Sequence, residues 1–316
     1  MKRIPTLFVV ALAAAMTLGA CGTAPSGDDV PRIVVTTSTL GDLVSNVVGA
    51  DATVEIVMPI GADPHSFSPS SRQVAAMTDA DLVVANGLGL EENFADVLES
   101  VTIDGGHVLD LGSMLDPITF SAGDDDHGEE DQEDVEDHTL DPHIWMDPLR
   151  MADAAGFVAE ALAEINDEID WASRAATYAA DLTDLHTEIE EMLFGVDDSE
   201  RFLVTNHDAL GYFAARYGFE VVGTVIPGGS TLGDPSSEDL AYLVATMREL
   251  GVSVVFAETI RPSALADAVA AELGGEVQVV ELFTGSLGEA GSGAETLIEM
   301  LRLDATRIAE ALAPDG

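Results

Sequence analysis

Short apolar runs alternate with helical segments along most of the chain, and this alternation constrains the fold more than any other feature. Residues 32–37 (RIVVTT) and 81–86 (DLVVAN) each contain a short apolar run rich in valine. Such runs are typical of strands buried on both faces of a sheet. Helical segments follow them, and Ser70 and Ser236 stand where N-caps are expected. The sequence therefore predicts an α/β architecture with parallel sheets.

The alternation is interrupted twice, and the interruptions divide the chain. Residues 121–139 are dominated by Asp and Glu without apolar periodicity, which predicts a solvated loop. Strand signals are then nearly absent up to residue 193, while apolar residues recur every three or four positions as in one long helix: Tyr178, Leu182, Leu185, Ile189 and Met192. We predict two parallel-sheet α/β lobes, residues 31–171 and 196–316, joined by a single long rigid helix at 172–195.

The composition limits the classes of partner. Hydrophobic residues make up 47% of the 316-residue chain, which is enough for a substantial core. The formal net charge is −46, and nucleic acid phosphates would repel such a surface. We therefore expect no nucleic acid partner.

The N-terminus has the pattern of an export signal. A basic start is followed by an apolar run at residues 7–18, which is too short for a membrane span of about 20 residues. The run ends in LGAC, which matches the lipobox of exported lipoproteins, although an ordinary signal peptide with a chance cysteine is the alternative. We predict a signal peptide at 1–20, a lipid anchor at Cys21 and a tether at 21–30, so that the protein is held on the outer face of the cell membrane. Cys21 is the one cysteine of the chain, which excludes a disulfide within the chain and a cysteine zinc site.

Three histidines share a position at the end of a strand or of a proline-fixed turn. His65 and His143 each follow an Asp-Pro pair, and His207 follows a predicted strand. Ligands of open parallel sheets bind outside the carboxyl ends of the strands. Three imidazoles that converge there would bind zinc at about 2.0–2.1 Å, and Asp141 or Asp208 would orient a ligand ring. The sequence spacing alone does not establish that the three residues meet.

Four motifs carry a resemblance to a known family. In order along the chain they are GADPHSFSPS, ADLVVANGLGLEENF, DPHIWMDP and TNHDALGYFAARYG. Together, behind a lipobox, they resemble the cluster A-I metal-binding solute receptors of bacterial ABC importers for zinc and manganese, and the similarity spans residues 32–307. The resemblance implies a receptor rather than an enzyme, with the metal in the cleft between the lobes, bound by His65, His143 and His207, and handed to a membrane permease.

The same resemblance bears on the choice of metal and on a fourth ligand. Manganese members commonly have a carboxylate where this chain has His207, and imidazole suits zinc better than manganese. Family members often supply a fourth carboxylate in the segment that is here residues 282–288, where Gly285 stands at the expected position. The fourth ligand is then a water molecule, Glu258 or Glu281.

Other histidines and other functions remain as alternatives. His127 and His138 lie in the acidic loop and are either weak auxiliary zinc ligands or passengers, whereas His107 and His186 are expected to face solvent. The same fold would also serve a manganese or iron receptor. A secreted zinc hydrolase is the rival from another class, but the sequence has no H-E-x-x-H motif. We expect a monomer.

Overall fold

Two parallel sheets organise the molecule. The computed structural model describes residues 30–120, 140–274 and 277–313. In this part of the chain the strands are β1 (Arg32–Val35), β2 (Thr53–Ile56), β3 (Leu82–Ala85), β4 (Val108–Asp110), β5 (Phe202–Thr205), β6 (Glu220–Thr224), β7 (Val254–Glu258) and β8 (Gln278–Leu282). The first sheet has the order β2-β1-β3-β4 and the second the order β6-β5-β7-β8, with parallel pairing throughout. The predicted architecture of two parallel-sheet α/β lobes is confirmed, and we call them the first and second lobe in chain order.

Helices connect the strands and cover the sheets. Within the described ranges they are α1 (Ser38–Val48), α2 (Ser71–Thr78), α3 (Ala95–Ile103), α4 (Pro148–Ile165), α5 (Trp171–Leu193), α6 (Gly211–Tyr217), α7 (Ser237–Leu250), α8 (Ala264–Glu272) and α9 (Leu297–Leu312). Ser70 and Ser236 are N-caps with capping boxes, as the sequence predicts. The sequence analysis missed α3, whose start has no side-chain cap to mark it.

The stretch without strand signal contains two helices. Helix α5 matches the predicted connecting helix closely, is about 35 Å long, and buries Tyr178, Leu182, Leu185 and Ile189 of the predicted stripe. Helix α4 packs along it, and α5 also contacts α1 of the first lobe and α9 of the second. The connection between the sheets is thus built on a helix pair, and the role of α5 as the single rigid link stays a prediction.

A shared core holds the lobes together. One apolar cluster includes Ile33 and Val35 of the first sheet, Phe256 of the second, and residues of α1, α4, α5, α6 and α9. Two smaller clusters cover the other faces of the sheets, one in each lobe. Residues from Pro31 onward accordingly form one compact unit.

Several predictions fall outside the described residues. These are the signal peptide at 1–20, the lipid anchor at Cys21, nearly all of the tether at 21–30, and the acidic loop at 121–139. Among the helices that are described, none combines the length and the apolar character that crossing a membrane requires.

Candidate metal centre

The three predicted ligand histidines converge at one buried point. His65 lies in the loop after β2, His143 directly precedes a short 3-10 helix, and His207 lies just past β5. The Nε2 atom of His143 is 3.3 Å from Nε2 of His65 and 3.1 Å from Nε2 of His207. A tetrahedral ion bound at about 2.0–2.1 Å separates its ligand atoms by about 3.3 Å. The observed spacing therefore fits the edges of a tetrahedral site.

Matching turns position His65 and His143. The Asp63 carboxylate accepts the backbone N–H of His65 at 3.1 Å, and the Asp141 carboxylate accepts that of His143 at 2.9 Å. The proline between each pair fixes the backbone and removes a competing N–H donor. The two Asp-Pro-His sequences therefore build the same local structure twice.

A buried carboxylate also orients the His143 ring. Oδ1 of Asp141 lies 2.7 Å from Nδ1 of His143, which leaves Nε2 directed at the centre of the triad. The Tyr212 hydroxyl donates to the Asp141 carbonyl at 2.7 Å and holds this turn from the second lobe. Burial raises the pKa of Asp141 to about 7, against the opposing effect of the His143 backbone N–H. Asp141, one of the two carboxylates predicted to orient a histidine ring, therefore contacts the ring of His143.

Glu258 plays the corresponding role for His207. Its Oε1 atom lies 2.7 Å from Nδ1 of His207 and accepts the Thr284 hydroxyl at 2.6 Å. Its Oε2 atom accepts the Asn206 amide at 3.2 Å. Burial alone would raise the pKa of Glu258, but His207 and these hydrogen bonds lower it to about 2. Glu258 therefore orients the His207 ring, the role that was predicted for Asp141 or Asp208.

His65 has no comparable partner for its ring. Its Nδ1 atom is 3.8 Å from a carboxylate oxygen of Glu92, a side chain that is 38% exposed. Among the described residues, this buried Nδ1 has no hydrogen-bond partner. Burial, together with the neighbouring His143 and His207, lowers the pKa of His65 to about 3.

The protonation state of two of the three rings favours metal binding, because both rings are neutral. Burial holds the pKa of His143 well below its ordinary value, as it does for His65, so both imidazoles are neutral at physiological pH, the form that can bind a metal. At His207 burial acts in the same direction, but Glu258 outweighs it and raises the pKa.

The candidates for a fourth ligand lie at different places. Among the described side chains, the one group suited to hold an ion is the histidine triad. Glu258 faces Nδ1 of His207, and Glu281 lies on an exposed position of β8. A Cβ atom at Gly285 would come within 2.4 Å of Ile260 and 3.4 Å of Pro64, so a side chain there would contact the loop that carries His65.

The other histidines differ in their surroundings. His107 is exposed, as predicted. His186 is half-buried rather than solvated, with Nδ1 3.2 Å from the Tyr217 hydroxyl. The proposed auxiliary ligands His127 and His138 lie outside the described residues.

Sequence reasoning missed the side chains that support the ligands. Thr284 and Asn206 hold Glu258 although neither stands in a recognisable metal motif. The ring centre of Trp145 lies 5.3 Å from that of His143, and its indole N–H donates to the Thr284 carbonyl at 2.8 Å. One indication of Thr284 was present in the sequence, because this residue is adjacent to Gly285 in the segment 282–288, where a fourth ligand was expected.

Comparisons with known proteins agree with this geometry. Residues 33–311 match the family model described as ZnuA, zinc-uptake complex component A, periplasmic. The manganese-binding lipoprotein MntA of Halalkalibacterium halodurans is 28% identical over 96% of this chain and 96% of its own. The zinc-binding protein TroA of Treponema pallidum is 29% identical over 91% of each chain. The solved structure of periplasmic TroA superposes with a TM-score of 0.77, at 28% identity, over 90% of this chain and 100% of the TroA chain.

The match extends over nearly the whole of both lobes, and the positions of all three histidines lie within the matched range. It confirms the resemblance seen in the sequence motifs and excludes the zinc hydrolase, because the relatives are metal-binding transport components rather than enzymes. The chain therefore belongs to the ZnuA family of metal-binding solute receptors, the extracytoplasmic components of ABC importers for metal uptake.

Proposed function

We propose that the transported metal is Zn²⁺ and that His65, His143 and His207 are its protein ligands. The observation that carries the proposal is the convergence of three buried Nε2 atoms at 3.1 and 3.3 Å around His143. Imidazole nitrogen is a preferred zinc donor, whereas manganese favours carboxylate and water oxygens. A water molecule would complete the tetrahedron.

The charges near the site support a divalent cation. Neutral imidazoles leave the double charge of the ion uncompensated in a buried place, which is costly. Glu258 and Asp141 each lie one imidazole ring away from the ion position, at 2.7 Å from Nδ1 of His207 and of His143. They fix the ring orientation and raise the basicity of the ligand nitrogens.

A manganese receptor is the second candidate, because MntA of Halalkalibacterium halodurans is named as manganese-binding. Calorimetric titrations with Zn²⁺ and Mn²⁺ distinguish the two. We expect wild type to bind Zn²⁺ far more tightly than Mn²⁺, and His207→Asp to narrow this ratio because an oxygen donor replaces a nitrogen donor.

His107→Asp is a matched control, since it makes the same replacement at an exposed histidine. It should leave both affinities unchanged. Equal affinities for Zn²⁺ and Mn²⁺ in wild type would contradict the zinc assignment, and so would an unchanged ratio in a folded His207→Asp.

Delivery to the membrane permease is the second part of the proposal. The LGAC sequence supports lipid attachment at Cys21, which would keep the loaded protein close to its permease. We further propose that the receptor acts as a monomer. Expression of wild type and Cys21→Ser in a bacterial host tests this part. We expect wild type in the membrane fraction and labelled by a fatty acid, and the variant unlabelled and released. Release of both forms would contradict the anchor.

A further inference from the structure

A single carboxylate connects a ligand histidine to the opposite lobe. Asp63 lies in the first lobe, two residues before His65. One of its oxygens, Oδ1, accepts the His65 backbone N–H at 3.1 Å. The other, Oδ2, accepts the Thr231 hydroxyl at 2.7 Å and the Arg261 guanidinium at 3.1 Å. Thr231 and Arg261 belong to the second lobe, where they follow β6 and β7.

These contacts are partly buried from solvent. Asp63 is 10% exposed and Arg261 is 33% exposed, while Thr231 is buried. Hydrogen bonds to an ionised carboxylate are stronger than neutral ones, and partial burial reduces their screening by water. The same loop has a second bond to the opposite lobe, because the Gly61 N–H donates to the Ser286 hydroxyl oxygen at 2.8 Å.

We propose that Asp63 is a positioning residue that couples closure of the two lobes to retention of the metal. Separation of the lobes at this loop must break the bonds from Asp63 to Thr231 and Arg261. The carboxylate then loses the contacts that fix its orientation, and with them the anchor of the His65 backbone. Only Pro64 stands between the anchor and the ligand, so the disturbance reaches His65 directly.

His65 is the ligand for which such an anchor matters most. His143 and His207 each have a buried carboxylate at 2.7 Å from Nδ1. The nearest carboxylate to Nδ1 of His65 is the half-exposed Glu92 at 3.8 Å. The position of His65 therefore depends on its backbone. The carbonyl of His65 accepts the Asn93 amide within the first lobe at 3.1 Å, whereas its N–H is held by Asp63, the carboxylate that bonds to the second lobe.

Coupling of this kind is reciprocal. If the contacts of Asp63 with Thr231 and Arg261 strengthen metal binding by some factor, bound metal stabilises those contacts by the same factor. A weakened contact should then speed release of the metal without altering the ligand set. The inference rests on metal binding by the triad and not on which metal is transported.

The test uses the full-length protein loaded with the metal that it binds most tightly. Stopped-flow mixing with excess chelator measures the dissociation rate, and mixing with metal measures the association rate. We expect Arg261→Ala to release the metal about 10-fold faster, since one partly exposed charged hydrogen bond is lost. Thr231→Val should accelerate release less, and Arg261→Lys should restore slow release in part. Association rates should stay near the wild-type value.

Two controls separate positioning from a general structural effect. Arg248→Ala removes an arginine of the same lobe whose bond goes to the Glu272 carbonyl, and it should leave the rates unchanged. The visible spectrum of the Co²⁺-loaded protein reports the coordination sphere and should be the same in wild type and Arg261→Ala.

Wild-type release rates in both Arg261→Ala and Thr231→Val would overturn the inference. Equal acceleration in Arg248→Ala would also overturn it, as would a changed Co²⁺ spectrum, because Arg261 would then act on ligand geometry in the closed state. Failure of the zinc assignment gives a different result, because the ratio of the Zn²⁺ and Mn²⁺ affinities would then be unchanged in His207→Asp, whatever the release rates are.

Discussion

His207 in the second lobe and His65 in the first lobe are supported in different ways, although their sheets have equivalent strand orders. In the second lobe, Glu258 fixes the His207 ring from behind, and two polar side chains fix Glu258 in turn. In the first lobe, the nearest carboxylate to Nδ1 of His65 is the exposed Glu92 at 3.8 Å, and the loop that carries His65 bonds across to the second lobe.

We infer from the difference that His207, like His143, is held by a carboxylate of its own lobe, whereas the position of His65 depends on contacts between the lobes. A receptor has to hold its ion during transit and release it at the permease. Pre-organised ligands supply affinity, and a ligand positioned by contacts between lobes allows release when those contacts break.

Removal of one of the three proposed ligand rings should have the largest effect on metal affinity, however that ring is supported. We expect His143→Ala to weaken zinc binding by orders of magnitude, because one of three protein donors is lost. Competition with a chromogenic chelator measures the affinity, and circular dichroism checks the fold. Wild-type affinity in folded His143→Ala would remove this residue from the site.

Changing the carboxylate beside each ring tests whether His207 depends on such a partner more than His65 does. Glu258→Gln weakens the hold on the His207 ring, and loss of such a partner typically costs 10–100-fold in metal affinity. Glu92→Gln is the matched change beside His65 and should cost about 2-fold or less, because an exposed carboxylate at 3.8 Å contributes little. The same chelator competition measures both variants, and equal losses in the two would contradict the contrast.

A third change replaces the buried Asp304 of the second lobe and should affect metal affinity least. Asp304 of α9 is buried and accepts the Phe283 backbone N–H at 3.0 Å, next to Thr284. Burial raises its pKa to about 7, against the opposing effects of the Phe283 N–H and Arg307. An unfolded Asp has a pKa of about 3.9, so the folded state holds one more proton between roughly pH 4 and 7. Its contribution to stability therefore falls as pH rises through this window.

Asp304→Asn keeps the acceptor oxygen and removes this loss. The metal-free variant should gain stability relative to wild type as pH rises from about 4.5 to 7.5, by up to about 4 kcal/mol. Urea unfolding at the two pH values measures the difference. Asp184→Asn, at an exposed position of α5, is the control and should show no such trend. A stability difference between Asp304→Asn and wild type that does not change with pH would show that Asp304 is ionised throughout.

The sequence identified the three histidines that converge, but it did not identify most of the side chains that hold them. Asp-Pro-His is a local signal, because the proline turn and the N–H bond to the aspartate form within three residues. The alternation of strands and helices likewise depends on local periodicity, so both sheets were predicted. The contact of Glu258 with His207 joins residues that are distant in the chain, and no local pattern marks it.

Two features of the fold show the same limit. Helix α3 begins without a side-chain cap, so the sequence gives no sign of its start. The bond from Asp63 to Arg261 connects opposite lobes, and it depends on how the sheets pack against each other. Such tertiary relations become visible only when the chain is folded.

X-ray absorption of the protein loaded with one equivalent of Zn²⁺ tests the central claim most directly. The account predicts three imidazole nitrogens at about 2.0–2.1 Å, recognisable by the scattering of their rings, and one oxygen. His107→Ala should give the same spectrum, and His65→Ala should lose one imidazole. A wild-type spectrum with fewer than three imidazoles, or one dominated by carboxylate oxygens, would contradict the assignment of His65, His143 and His207 as the zinc site.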